Sequence, residues 1–362
     1  MNPETRCVLA LAFATAVPSL LPAQVAEAPA AATAVDDAPR PAALLAFPKD
    51  TGPRDAAVKT HPEVVPTVEA SLRWLLAHQG PDGRWDADAF HKEVDTDPRL
   101  GKGRATHDVG LTGMVLFALA REGKAAKGDA RRTALEKGAR WLCEQKGENG
   151  LLGTPTAVDH AYDHAIATLG LCSAALVTDD ADTLAAAKAA VAHLLARRNP
   201  YAVWRYGMRD NDNDSSVTTW ATLALLAGRE AGIDVDPAVW RPVRIWFQAV
   251  TTAEGQAGYT RAGERSSRRA GDHAVQFPPE HGEAMTAAAL LVRSALGETT
   301  ADDGVLGKSI ALLADKPPKW DPSGGCIDTC YWFFASEAFR HAGGDARTPW
   351  CRELVAALVK GQ

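Results

Sequence analysis

Five stretches of the chain are apolar on nearly every side: DVGLTGMVLFAL from Asp108, HAIATLGLCSAAL from His164, DSSVTTWATLALL from Asp214, GEAMTAAALLVRSAL from Gly282 and CIDTCYWFFASEAF from Cys326. Aligned without gaps, each places Thr or Cys four residues after its start, at Thr112, Thr168, Thr218, Thr286 and Cys330. A helix that is apolar all round is covered by protein all round, so these predict five buried helices. Between and around them run VEASLRWLLAHQ, ALEKGARWLCEQ, TLAAAKAAVAHLLARR, PAVWRPVRIWFQAV, GVLGKSIALLAD and PWCRELVAALVKGQ, whose charged residues recur on one side. They predict six amphipathic helices facing water. Gly, Pro, Asn and Asp clusters separate the helices, and no strand alternation stands out. The alternation of buried and amphipathic helices, at spacings of roughly 45 to 70 residues, predicts stacked helical hairpins. The expected fold is all-α, an α/α toroid of outer and inner helices.

The first 65 residues read differently. In MNPETRCVLALAFATAVPSLLPAQ, Arg6 precedes an apolar run and then small residues, the pattern of a secretory signal peptide ending near Ala23. Residues 24–65 are rich in Ala, Pro and Asp without periodicity, which predicts a flexible linker ahead of a toroid over 66–362. No run reaches the ~18 apolar residues of a membrane helix. The expectation is an exported protein, periplasmic or extracellular, without a transmembrane segment. A net charge of -6 and the lack of a Lys/Arg block on one face argue against nucleic acid as a partner. Five cysteines remain beyond Cys7, an odd number that does not suggest a disulfide framework; Cys143 and Cys172 read as small core residues.

The helix ends carry a second repeat. AHQGPDGRW holds Gln79, Gly83 and Trp85, and related endings follow in EQKGENGLL, RRNPYAVWRY, GQAGY up to Tyr259, and KPPKWDPSGG. These resemble the Gln-to-Trp repeats of terpenoid cyclases and protein prenyltransferase β subunits, and WRYGMRDNDNDSSVTTWATLAL and CYWFFASEAFRHAGG look like exported bacterial members of that prenyltransferase and squalene-oxidase repeat family. The resemblance covers about residues 66–362 and implies an α/α toroid.

It also implies two kinds of chemistry to look for. Class II terpene cyclases protonate their substrate from an Asp-X-Asp-Asp motif at the start of an inner helix. Aligned on Thr218, the four positions hold Asp214, Ser215, Ser216 and Val217, so only the first Asp matches. Asp214, with Asp212, is the candidate acid; read from the residues alone, Asp214 is an N-cap bonded to the amide of Ser216 or Val217, Asp212 is stabilised by the helix dipole, and Asp108 is a second cap. Prenyltransferases hold zinc with Asp, Cys and His. Here Asp328 stands where the His of that segment belongs, and the preceding inner helix offers His281 and Glu283 but no Cys. His160 and His164, four apart, share a helix face and are the alternative metal pair. Phe117, Tyr162, Trp220 and Tyr331 are the candidate aromatic lining of a central site, with His281, Glu283 and Asp328 at its mouth; the same aromatics also fit an ordinary core.

With both catalytic motifs incomplete, the leading expectation is a binding or scaffold module without catalytic function or cofactor. Its partner would be a hydrophobic small molecule, such as an isoprenoid or lipid, or a protein segment. The alternatives are a terpenoid-cyclase-like isomerase using Asp212 or Asp214, and a metal-dependent enzyme at the toroid mouth.

Overall fold

The computed structural model describes residues 61–94, 103–155, 159–266, 275–301, 303–342 and 345–361. The expected signal peptide and nearly all of the expected linker lie outside them. Among the described residues the fold is all-helical: α1 (Val65–Ala77), α2 (Asp108–Arg121), α3 (Ala130–Glu144), α4 (His160–Thr178), α5 (Ala181–Arg197), α6 (Ser215–Glu230), α7 (Trp240–Ala249), α8 (Ala284–Ala295), α9 (Gly304–Ala314), α10 (Thr329–Ala342) and α11 (Arg347–Lys360). Local chemistry sets many of the starts. Asp129, Asp180, Asp214 and Asp303 each accept amide hydrogens at the start of α3, α5, α6 and α9, satisfying donors the helix cannot satisfy itself.

The five apolar stretches are α2, α4, α6, α8 and α10, and each packs on the next in that order. The first and last of them also meet. The rings of Phe117 on α2 and Phe333 on α10 are in edge contact, 6.0 Å between centroids, and Arg121 pairs with Glu337 at 3.0 Å with both side chains buried. The amphipathic helices pack on them: α3 and α5 against α4, α9 against α8, and α11 against α10. α11 also touches the single turn Pro62–Val64 ahead of α1, which brings the two ends of the described chain together.

The Thr register has a physical purpose. Thr112, Thr218 and Thr286 accept the backbone amide of Trp85, Trp204 and Ala257 at 3.0, 3.3 and 3.0 Å, tying each preceding loop to the flank of an apolar helix. Trp85 and Trp204 then donate their indole N–H to Leu75 and Leu194, ten residues earlier, both at 2.8 Å. In the second repeat Thr168 donates back to the His164 carbonyl at 2.7 Å, and His164, four residues earlier, holds the loop instead, accepting the Leu152 amide on Nδ1 at 3.2 Å. Gln79 reaches the carbonyls of Gly83 and Ala134 at 2.8 and 2.9 Å, so it joins the first hairpin to α3.

Aromatic rings pack together between α2, α6 and α10. Trp220 stacks on Phe333 with rings 5.7 Å apart and 6° from parallel, and Phe334 packs against both. Phe117, Trp220, Phe333 and Phe334 are all buried.

Candidate functional site

A polar cluster forms where α4 and α6 begin. Asp214 has no solvent exposure. Its Oδ1 accepts the Val217 amide at 2.7 Å, the cap expected from sequence. Its Oδ2 accepts the Tyr259 hydroxyl at 3.2 Å and lies 3.3 Å from Nε of Arg205. Tyr259 is reached in turn by the hydroxyls of Tyr162, at 3.1 Å, and Tyr206, at 2.7 Å. The Arg205 guanidinium lies over the rings of Tyr206 and Tyr259. Three tyrosines from three separate segments thus converge on one carboxyl group.

Burial is the largest influence on Asp214 and raises its pKa to about 7, against the lowering effects of the Val217 amide and Arg205. The same cause pushes the phenols of Tyr162 and Tyr259 well above the usual tyrosine range. Asp214 is therefore partly protonated near neutral pH, as an acid must be, yet both its oxygens already hold protein partners. Asp212 sits apart: it is exposed and its Oδ1 takes a hydrogen bond from Arg205 at 2.6 Å, an ion pair in place of the expected dipole contact.

Asp108 occupies the matching position of the first repeat and is also buried. It does not cap its own helix: Oδ1 accepts the Ala87 amide at 2.8 Å and Oδ2 pairs with Arg84 at 3.2 Å. Burial raises its pKa to about 6. Asp108, His164 and Asp214 thus share one register, and the first two fasten the hairpin loop rather than their own helix.

The other residues singled out from sequence are dispersed. Phe117 and Trp220 belong to the aromatic packing between α2, α6 and α10; Tyr162 belongs to the tyrosine cluster. Glu283 is buried with Lys316 at 2.6 Å and also accepts from Thr286 at 3.1 Å. Asp328 accepts the amides of Cys330 and Tyr331, both at 3.1 Å, and so caps α10. Tyr331 is buried and donates to the carbonyls of Lys316 and Leu313. His281 is exposed.

The proposed metal pair is pulled apart by its partners. Nδ1 of His164 holds the Leu152 amide, while Nε2 of His160 lies 2.6 Å from a guanidinium nitrogen of Arg197. Full burial pushes the His164 pKa well below the ordinary value. A nitrogen facing a guanidinium is not available to a cation, so these residues do not fit a shared zinc. Among the described residues Asp86, Asp88 and Asp108 bring carboxylate oxygens near one another, but Arg84 lies 3.1 Å from Asp86 and 3.2 Å from Asp108 and already supplies the positive charge there.

Sequence reasoning did not single out Arg205, Tyr206 or Tyr259. Tyr206 and Tyr259 close two of the repeat endings, RRNPYAVWRY and GQAGY, and that shared aromatic end is the signal that points to them. No family model, no curated protein and no solved structure matches the chain.

Proposed function

We propose that residues 66–362 form an α/α toroid of the prenyltransferase and squalene-cyclase repeat type, exported, and that it works as a binding or scaffold module without catalytic function. The packing of consecutive inner helices, the Arg121–Glu337 and Phe117–Phe333 contacts between the first and last, and the contact of α11 with Pro62–Val64 support a closed array. The observation that carries the functional reading is the aromatic packing between α2, α6 and α10. Trp220, Phe333, Phe334 and Phe117 pack on one another where a cyclase needs an empty, aromatic-lined chamber. This favours a protein segment bound at the surface over an isoprenoid bound inside.

Native mass spectrometry with elemental analysis, on protein purified from the exported fraction, tests the reading. The expected result is the bare polypeptide mass without stoichiometric metal or lipid. A copurified isoprenoid or lipid would overturn it.

One observation favours the isomerase alternative. Asp214, buried beside three tyrosines with its pKa raised to about 7, holds its proton at a pH where most carboxyls do not. In that reading Asp214 delivers the proton and the tyrosines stabilise the cation that forms. It requires Tyr259 to swing away from Oδ2 so that a substrate can reach it.

A further inference from the structure

One hairpin end is fastened differently from the others. The ends at Trp85, Trp204 and Ala257 are held by the hydroxyls of Thr112, Thr218 and Thr286, which accept a loop amide. The end over residues 146–153 is held by two histidines. His164 of α4 accepts the Leu152 amide on Nδ1 at 3.2 Å, and Nδ1 of His193 on α5 lies 3.0 Å from the Asn149 carbonyl. Between these two points the loop closes on itself, with Gly147 N–H bonded to Leu151 and Gly150 N–H to Gly147.

These two bonds fix the hydrogens of both rings. A nitrogen that accepts an amide carries no hydrogen, so the neutral His164 ring has its hydrogen on Nε2. A carbonyl can only accept, so Nδ1 of His193 is the nitrogen with the hydrogen, and its Nε2 keeps the lone pair. The rings stand edge to face, 4.9 Å between centroids, and both Nε2 atoms are buried with no hydrogen-bond partner among the described residues. A proton disturbs this arrangement at either ring. On Nδ1 of His164 it turns an N–H toward the Leu152 N–H and removes the bond that holds the loop; on Nε2 of His193 it leaves a second buried donor without an acceptor. The surroundings oppose the added charge. Burial, then His193, Arg197 and His160, hold the His164 pKa well below the ordinary histidine value, with the Ala190 carbonyl acting the other way; burial lowers that of His193 too, against the Asn149 carbonyl. The carboxylates of the neighbouring elements have other partners: Asp163 with His107, Asp108 with Arg84, and Asp214 with Tyr259 and Arg205. Glu144 at the end of α3 and Glu148 in the loop are exposed, and Lys146 adds positive charge.

We infer that His164 and His193 form an acid-released latch: neutral and of opposite tautomer, they hold the hairpin end 146–153 on α4 and α5, and a proton taken up by the pair frees it, uncovering Leu151 and Leu152. Both leucines are buried while the latch is shut. The latch works the same way whether the protein binds or catalyses.

Amide hydrogen exchange of the full chain, followed from about pH 7.5 to about pH 5, is the test. After correction for the intrinsic rate, protection of the Leu152 amide should fall about tenfold or more, because the open loop takes up the proton more readily than the closed one. Protection of the Ala257 amide, held by a hydroxyl, should change little. Asn places its side-chain oxygen or nitrogen where a histidine has Nδ1 and does not titrate, so His164→Asn combined with His193→Asn should abolish the response at Leu152. NMR of the ring nitrogens in wild type needs no variant: His164 should carry its hydrogen on Nε2 and His193 on Nδ1. Equal responses at Leu152 and Ala257, two rings in the same tautomer, or a response that survives in the double variant would each overturn the latch.

Discussion

Tyr259 donates its hydroxyl to Asp214 across 3.2 Å and 45 residues of sequence, and the carboxyl it meets has no solvent exposure. The pair makes one residue serve two purposes: Asp214 caps α6 and also holds the loop that contains Tyr259 against it. Ser215 strengthens the same junction, its amide bonded to the Tyr259 carbonyl at 2.9 Å and its hydroxyl to the Gly258 carbonyl at 2.9 Å.

Removal of this carboxyl should cost stability. Asp214→Ala loses the cap and strands the Tyr259 hydroxyl, a combined cost of about 2–4 kcal/mol in urea unfolding. Asp214→Asn keeps an acceptor for the Val217 amide and should cost less. Equal losses in the two variants would mean that the cap contributes nothing.

The same residue sets a pH dependence. Its folded pKa, about 7, lies above the unfolded value near 3.8, so the folded state binds the proton more tightly. That contribution is fully present below about pH 4 and is lost as pH rises toward 7. Asp108, raised to about 6, acts in the same direction. His164, depressed by burial, acts oppositely below its ordinary value, and Glu337, held low by Arg121 and Arg340 despite burial, does so at lower pH still. The difference in stability between wild type and Asp214→Asn isolates one group: it should shrink between pH 4 and 7. A difference that is flat over this range would contradict the raised pKa.

Arg121 and Glu337 join α2 to α10 from 216 residues apart. Arg121→Met removes one of the cations that Glu337 is buried with, leaving Arg340 at 2.8 Å, and should cost about 3 kcal/mol. Arg121→Met combined with Glu337→Leu should cost less than the two single changes added together. A double-mutant cycle measures this, with a coupling of roughly 1–3 kcal/mol expected. Additive losses would mean that the pair does not couple α2 to α10.

Much of this fold was legible because it repeats. One register, Thr in four and Cys in the fifth, marks the five apolar helices, and for three of them the structure gives its reason in the loop amides that Thr112, Thr218 and Thr286 accept. Asp214 as a cap was legible too, since the Asp-X-X-Val spacing is local. The tyrosine cluster was not: Tyr162, Tyr206 and Tyr259 come from three hairpins, and no local pattern states which aromatics will meet. Asp108 misled for the same reason, because its partner Ala87 is 21 residues away and the cap reading looks only forward along the chain. His160 and His164 share a helix face as predicted, yet neighbours on other segments, Arg197 and Leu152, decide what each does.

The turn glycines offer a local test of the repeat packing. A Cβ on Gly83 would lie 2.5 Å from the Lys137 carbonyl oxygen of α3, and its φ is +103°, whereas Gly128, also at positive φ, faces open space. Gly128→Ala should cost about 1 kcal/mol from conformation alone. Gly83→Ala adds a clash with backbone and should cost at least twice as much. Similar costs would show that the hairpin end does not press on the next outer helix.

The aromatic packing can be opened deliberately. Trp220→Ala removes the ring stacked on Phe333 and should cost about 3–5 kcal/mol. Added indole should restore part of the lost Tm by occupying the void, as small apolar molecules do in engineered cavities. Unchanged stability would mean that the rings are not packed.

The most direct measurement of the central claim is product analysis after incubation of wild type and Asp214→Asn with squalene and with geranylgeranyl diphosphate. No cyclised or isomerised product is expected from either protein, because Asp214 is engaged by Val217, Tyr259 and Arg205 and the rings of Trp220 and Phe333 are stacked on each other. Product formed by wild type and abolished by Asp214→Asn would contradict it and make Asp214 the acid of an enzyme.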